Sequence, residues 1–363
     1  MKKLSALLLA LALSLSLVAC GAPAEPAAPA EPSATALNVG VFYYQYADVY
    51  ISSVRALMDE KLTAAGITYQ DYDGGSNQAN QIDQINTAIT DGANLLIVNI
   101  VETSSPDAAQ TAVDAAKTAG IPIIFFNREV ADEVVASYEN CAFVGTNAPE
   151  AGHMQGKLIG DYLMANYDAV DLNKDGTISY VMFKGQEGNA EAEYRTQFAV
   201  EDADKILTDG GKTALSFYDA ANTSKYLVDQ SGNWSAEAAT NYMNTILAEY
   251  TEANGNMVEM IIANNDGMAE GAVSALAAAG YNKGDGKMIP VFGVDATDSA
   301  KALIDEGKMT GTVKQDAEGM ASTMLALVNN IATGAKLMDN TDSYNVDEAV
   351  AKVRVPYGVY PEA

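Results

Sequence analysis

From Leu37 onward, short apolar runs alternate with amphipathic stretches. The runs LNVGVFYY (37–44), LLIVNI (95–100), IPIIFFN (121–127), CAFVGT (141–146), ISYVMFKG (178–185), MVEMIIANN (257–265), IPVFGVD (289–295) and TGTVK (310–314) predict strands. The spacing of apolar positions over 49–65, 78–91, 106–119 and 150–165 predicts helices between them. Nearly continuous apolar strands are buried on both faces, so they belong to parallel sheets covered by helices. The fold class expected is α/β, doubly wound, and built twice over. Several strands end abruptly in polar residues, at Asn127, Asn264 to Asp266 and Asp295. Parallel sheets bind ligands beyond such carboxyl ends, and no catalytic motif accompanies these.

The first 36 residues follow another pattern. Lys2 and Lys3 precede an apolar run from Leu4 to Val18, too short for a comfortable membrane span. Residues 1–19 therefore predict a signal peptide. Leu17, Val18, Ala19 and Cys20 resemble the lipobox of bacterial lipoproteins, which implies cleavage before Cys20 and lipidation of its thiol. Residues 20–36 are rich in Ala, Pro and Glu and predict a hydrated tether. The protein is expected to be exported and anchored by lipid to the outer face of the cytoplasmic membrane, as on a Gram-positive cell surface.

Composition narrows the function. The 363 residues carry 48 acidic and 21 basic side chains, a net charge of −27, which repels nucleic acid. Length suggests two domains. Two cysteines and a single histidine, His153, exclude a disulfide framework and a cysteine-rich zinc site. The HExxH, G-x-S-x-G and Walker A patterns are missing. Cys141 reads as a small buried residue and His153 as structural. Most familiar hydrolase chemistry is thereby disfavoured.

One loop does carry metal chemistry. Asp171, Asn173 and Asp175, followed by Gly176, match the first half of a calcium loop, with the Thr177 carbonyl as the next ligand. Position 12, a bidentate Glu in an EF-hand, is Met182 here, so the shell needs an acid from elsewhere.

The segments IPIIFFNRE, DLNKDG, IIANNDGMAEGAV, IPVFGVDA and VRVPY, in that order, resemble the periplasmic D-galactose/D-glucose-binding family of bacterial ABC importers. The likeness runs from about Leu37 to Tyr360. It implies a type I periplasmic binding protein, two doubly wound lobes joined by a three-crossing hinge. The lobes implied are 37–146 with 316–351, and 147–315 with 352–363. The resemblance supplies the missing calcium ligand as Glu259 and puts Ser179 where the family has Gln, implying a structural calcium ion held less tightly. It assigns sugar contacts to Asp48, Asn127, Arg195, Asn265 and Asp295, and ring stacking to Tyr50 and Trp234. Three positions depart from the family: Asn189 and Glu191 replace a His and an Asp, and Gln315 replaces an Asn at the lobe junction.

The expected function is capture of an aldohexose, D-galactose and/or D-glucose, by a monomer that delivers it to an ABC permease. A pentose, an inositol or a signalling furanose is the alternative, as is a sugar-sensing role at a chemoreceptor. A transcription regulator would need an N-terminal helix-turn-helix where the signal and tether stand. A glycosidase would need a carboxyl kept protonated and a glycosidic bond to cleave.

Overall fold

The computed structural model describes residues 36–361 except Asp285 and Glu348. The expected signal peptide, Cys20 and all of the expected tether but Ala36 lie outside the described residues. The first five strands are β1 (Asn38–Tyr43), β2 (Thr68–Asp73), β3 (Leu95–Val98), β4 (Ile123–Phe126) and β5 (Cys141–Gly145). They alternate with α1 (Val49–Ala64), α2 (Gln78–Thr90), α3 (Asp107–Ala119) and α4 (Asp132–Ala136). The chain then enters α5 (Ala148–Val170), β6 (Ser179–Lys184), α6 (Ala190–Asp209), β7 (Ser216–Phe217), β8 (Leu227–Val228) and α7 (Ala236–Glu249). Next come β9 (Met260–Ala263), α8 (Asp266–Ala278), β10 (Val291–Asp295), α9 (Asp298–Asp305) and β11 (Gly311–Gln315). It closes with α10 (Ala317–Ala332), β12 (Asn345–Val346), β13 (Lys352–Arg354) and β14 (Tyr357–Tyr360).

Two sheets result, in the orders β12-β13-β5-β4-β3-β1-β2 and β14-β11-β10-β9-β6-β7, with β8 also pairing β6. Only β12 with β13 and β14 with β11 pair antiparallel. Each sheet is covered on both faces, as continuous apolar strands require. In the first lobe, Val39, Val41 and Ile97 pack with Met58 and Leu327, while Phe42, Leu96 and Phe125 pack with Ile85 and Val113. In the second, Val181 and Ile261 face Met243 and Leu276, and Tyr180 and Ile262 face Ile159 and Leu207.

The predicted strands are all present, with ends shifted by up to three residues. Helix α5 runs beyond the predicted 150–165 at both ends. Pro149 is tolerated in its first turn, and buried Tyr167 and Val170 carry its apolar stripe to the last turn. Gly152, Gly156 and Gly160 lie on this stripe, and α6 packs directly on them. A Cβ at Gly152 or Gly156 would stand 2.4 Å from the Tyr194 carbonyl oxygen or 2.6 Å from that of Phe198. The stripe therefore fixes where α6 sits. His153 has a structural setting: Nδ1 lies 2.7 Å from Asp202 Oδ2, and its ring stacks on Phe198. Cys141 is buried, and burial pushes its thiol up to about 12.

One lobe boundary is corrected. Residues 352–354, expected in the second lobe, belong to the first sheet, where Lys352, Val353 and Arg354 pair with Phe143, Val144 and Gly145. Val353 is fully buried in that core. Val355 still belongs to the first lobe, its amide donating to the Gly145 carbonyl at 2.7 Å and its side chain packed in that core, and the chain passes over at Pro356. The three crossings therefore fall after Thr146, after Gln315 and after Val355.

Candidate functional site

In each sheet the strand order reverses beside β1 or β6, and the carboxyl ends of both sheets face one cleft. All ten side chains named for a sugar line this cavity: Asp48, Tyr50, Asn127, Asn189, Glu191, Arg195, Trp234, Asn265, Asp295 and Gln315. About 360 Å³ within it is free of protein atoms, part of that open to solvent.

Helix caps hold several of these groups in place. Asp48 caps α1, its Oδ1 accepting from the Ile51 amide at 2.8 Å and its Oδ2 from the Tyr44 hydroxyl at 2.6 Å. Asn189 caps α6 through the Ala192 amide, and its Nδ2 reaches across to Thr103 Oγ1 at 3.4 Å. Asn265 caps α8 through the Met268 amide and donates to the Trp234 carbonyl at 3.2 Å. Each cap satisfies an orphan helix amide and locks the side chain. Asn127, Trp234 and Asp295 all have positive φ, at +63°, +56° and +129°. Such backbone is costly outside glycine and turns each side chain sharply at the end of its segment.

The electrostatics are those of a desolvated site. Burial, first of all, holds the Asp295 carboxyl well above the ordinary carboxylate range; Arg195 opposes it, and Asp266, Asp48 and Glu191 add to it. Burial alone would lower Arg195, but Tyr357, Glu191 and Asp295 hold it above its ordinary value. Four buried N–H groups at the cavity have no protein partner among the described residues: Arg128 Nε, Arg195 Nε, Trp234 Nε1 and Gln315 Nε2. A buried donor without an acceptor is costly, so these mark where a polar ligand would be satisfied.

Sequence reasoning missed Tyr44, Ile51 and Arg128 in the lining. Arg128 follows Asn127 directly, and its guanidinium lies 4.1 Å from the Tyr44 ring centroid. Tyr44 closes the first apolar run four residues before Asp48, which is the signal that could have found it. The lobes meet around the cavity. Arg128 donates to Gln186, Gln45 Nε2 to the Asn233 carbonyl at 3.1 Å, and Ser76 Oγ to Asn233 Oδ1 at 2.7 Å. This is a closed arrangement.

The Asp171 loop is folded by its own carboxylates. Asp171 accepts from the amides of Asp175 and Gly176, and Asp175 accepts from that of Thr177. Asn173 Oδ1 also accepts from the Asp175 amide. Glu259, fully buried just before β9, turns both oxygens to the loop. Oε1 accepts from Leu172 N at 2.8 Å and Oε2 from Ser179 N at 2.8 Å. Burial holds this carboxyl above its ordinary value, while those amides pull it back. Ser179 Oγ lies 3.1 Å from the Met257 carbonyl and 3.2 Å from Glu259 Oε2. An all-oxygen donor set of this kind suits a hard cation. No group of three His, Cys, Asp or Glu is drawn together at metal-holding distance among the described residues.

Among the described residues no helix is long and apolar enough to cross a membrane. The periplasmic binding protein domain matches residues 39–336. The chain is 35% identical over 321 residues to the D-galactose/methyl-galactoside binding periplasmic protein MglB of Haemophilus influenzae, covering 88% of each chain. It is 28% identical over 303 residues to a putative rhizopine-binding protein of Rhizobium meliloti, covering 83% of this chain and 86% of that one. A solved ABC transporter solute-binding protein from Clostridium phytofermentans, with β-D-glucose bound, superposes with a TM-score of 0.68 at 22% identity, covering 89% of this chain and 93% of that one. With its fold, cleft and sequence in agreement, the chain belongs to the periplasmic binding protein family, whose members are exported substrate-binding proteins and not enzymes.

Proposed function

We propose that this protein captures one aldohexose, D-galactose and/or D-glucose, in the inter-lobe cavity and delivers it, as a monomer, to an ABC permease. The observation that carries this reading is the convergence of the ten side chains on one small cavity whose buried donors lack protein partners. A sugar hydroxyl both donates and accepts, which pairs it with Asp48 and Asp295 on one side and Arg195 and Gln315 on the other. Tyr50 and Trp234 offer flat faces to the pyranose C–H groups. The D-galactose/methyl-galactoside relative supports this ligand class. The reading extends to lipid anchoring at Cys20 and to a structural calcium ion held by Asp171, Asn173, Asp175, Thr177, Glu259 and, through its shorter side chain, Ser179. Palmitate labelling that disappears in Cys20→Ala tests the anchor.

The binding test uses Trp234, the only tryptophan. Its fluorescence is titrated with galactose, glucose, ribose and myo-inositol. A saturable change with either hexose supports the reading; a response to ribose or myo-inositol alone replaces the aldohexose by another polyol. That second reading is favoured by Asn189, Glu191 and Gln315, whose lengths and donor sets differ from the family pattern, and by the relative named for rhizopine.

A further inference from the structure

Glu191 and Arg195, one turn apart on α6, touch all three crossing segments of the hinge. Glu191 Oε1 accepts from the Thr146 hydroxyl, at the first crossing, at 2.8 Å. Its Oε2 lies 2.8 Å from the Tyr357 hydroxyl, just past the third, whose one proton is shared between Glu191 and Thr146 Oγ1, also at 2.8 Å, and it accepts from Arg195 Nη2 at 3.0 Å. Arg195 Nη2 also lies 2.9 Å from Gln315 Oε1 at the second crossing, and Nη1 donates to the Asn264 carbonyl at 2.8 Å. Thr146 is held to the first lobe by Arg354, which donates to its carbonyl at 2.7 Å. Tyr357 sits in the second sheet opposite Gln315. The Glu191 carboxylate therefore joins the two lobes at the pivot.

A carboxylate has about four acceptor positions, and three of those on Glu191 are taken by these groups. Arg195 Nε and Gln315 Nε2, by contrast, are buried and unpartnered, and both residues line the cavity. The edge they form presents N–H donors; Glu191 lines the same cavity, but its carboxylate oxygens are engaged by Thr146, Tyr357 and Arg195.

We propose that Thr146 and Tyr357 are positioning residues that set ligand selection by occupying the acceptor positions of Glu191, so that its carboxylate, although the side chain lines the cavity, is kept from a ligand hydroxyl. The ligand oxygen at the Arg195–Gln315 edge then accepts hydrogen bonds and is not required to donate one. This rests on the sugar-binding reading above. A site with the carboxylate turned inward would instead demand a hydroxyl donor there.

The test is calorimetric titration of the full protein and of Tyr357→Phe and Thr146→Val with galactose, glucose and their monodeoxy-monofluoro analogues, each of which lacks one hydroxyl donor. The wild type is expected to tolerate fluorine at one position. Both variants should bind that analogue about tenfold more weakly relative to the parent sugar, the worth of about one hydrogen bond. Glu191→Gln in the Tyr357→Phe background should restore the tolerance. Equal weakening of all ligands in the variants, or intolerance of every analogue by the wild type, overturns the proposal. A crystal structure of unliganded Tyr357→Phe supplies a readout that needs no ligand. Glu191 swung off Thr146 into the cavity supports the proposal, and Glu191 unmoved overturns it. If the wild type binds none of the sugars, the aldohexose reading has failed and the position of Glu191 in that crystal decides this proposal alone.

Discussion

Gly185 lies against the Trp234 indole so closely that a Cβ there would stand 2.0 Å from Cδ2 and 2.1 Å from Cε3. The glycine is needed for room, since its φ is not positive. Gly185→Ala must therefore push the indole out of its place in the cavity wall. Overpacking of this kind costs about 1–3 kcal/mol. The expected result is sugar affinity lowered by about tenfold or more, with an altered Trp234 emission in the unliganded protein. Calorimetry and fluorescence check it; unchanged values of both would mean that Trp234 does not set the cavity wall.

The proposed ligand contact of Asp295 should couple affinity to pH. Its carboxyl is raised chiefly by burial, so the unliganded fold favours the protonated form and loses that contribution to stability as pH rises through the folded value. A sugar hydroxyl donating to the carboxylate favours the ionised form instead. Sugar affinity should rise with pH over the carboxyl's range in the wild type. Asp295→Asn should bind more weakly and show a flatter profile. Titrations across the acidic to neutral range distinguish the two.

The apolar strands and their polar ends made the fold and Asn127, Asn265 and Asp295 legible, because full burial writes itself as unbroken apolar runs and a binding edge as their polar terminus; the other seven side chains of the cleft came only from the resemblance to the binding-protein family. Edge strand β2 escaped notice: in TYQDYD, Thr68 and Gln70 are exposed and the other four residues only half-buried, so no apolar run marks it. The end of the chain was misassigned for a related reason. The strands β13 and β14 are three and four residues long, and pairing with different sheets separates them where the sequence offers only Pro356 as a mark. Tyr357 and Thr146 could not be singled out either. Their role depends on Glu191 turning towards the hinge, and spacing along the chain does not encode that rotamer.

Asp71 offers a separate pH dependence in the first lobe. It stands on β2 beside Asp59 of α1, and burial first, then Asp59, pushes its carboxyl up to about 7, with Arg55 opposing. The folded value lies above the unfolded 3.8, so the contribution is fully present below the unfolded pKa and is lost as pH rises through about 7. Asp71→Asn keeps the shape without the charge. It should leave the melting temperature nearly unchanged below about pH 3.8, where both states hold the proton, and raise it at pH 8 by about 2–4 °C, the equivalent of about 1 kcal/mol once solvent screening of this half-buried site is discounted. Equal shifts at both pH values would count against a shared proton at this pair.

The proposed calcium ion predicts a linkage between metal and stability. Asp171, Asp175 and Glu259 bring three carboxylates to one loop, and none has a Lys, Arg or His within 4.0 Å among the described residues. A cation bound only by the folded state stabilises by about 2.7 kcal/mol at 100 times its Kd. EDTA should therefore lower the melting temperature of the wild type, and added calcium should restore it. Asp175 is exposed, so Asp175→Asn should melt in EDTA much as the wild type does and gain less from calcium. Ser179→Gln lengthens the side chain towards the ion and should sharpen the calcium response. If EDTA and calcium leave the wild-type melting curve unmoved, the backbone amides already satisfying these carboxylates are sufficient, and the loop folds as a polar turn without metal.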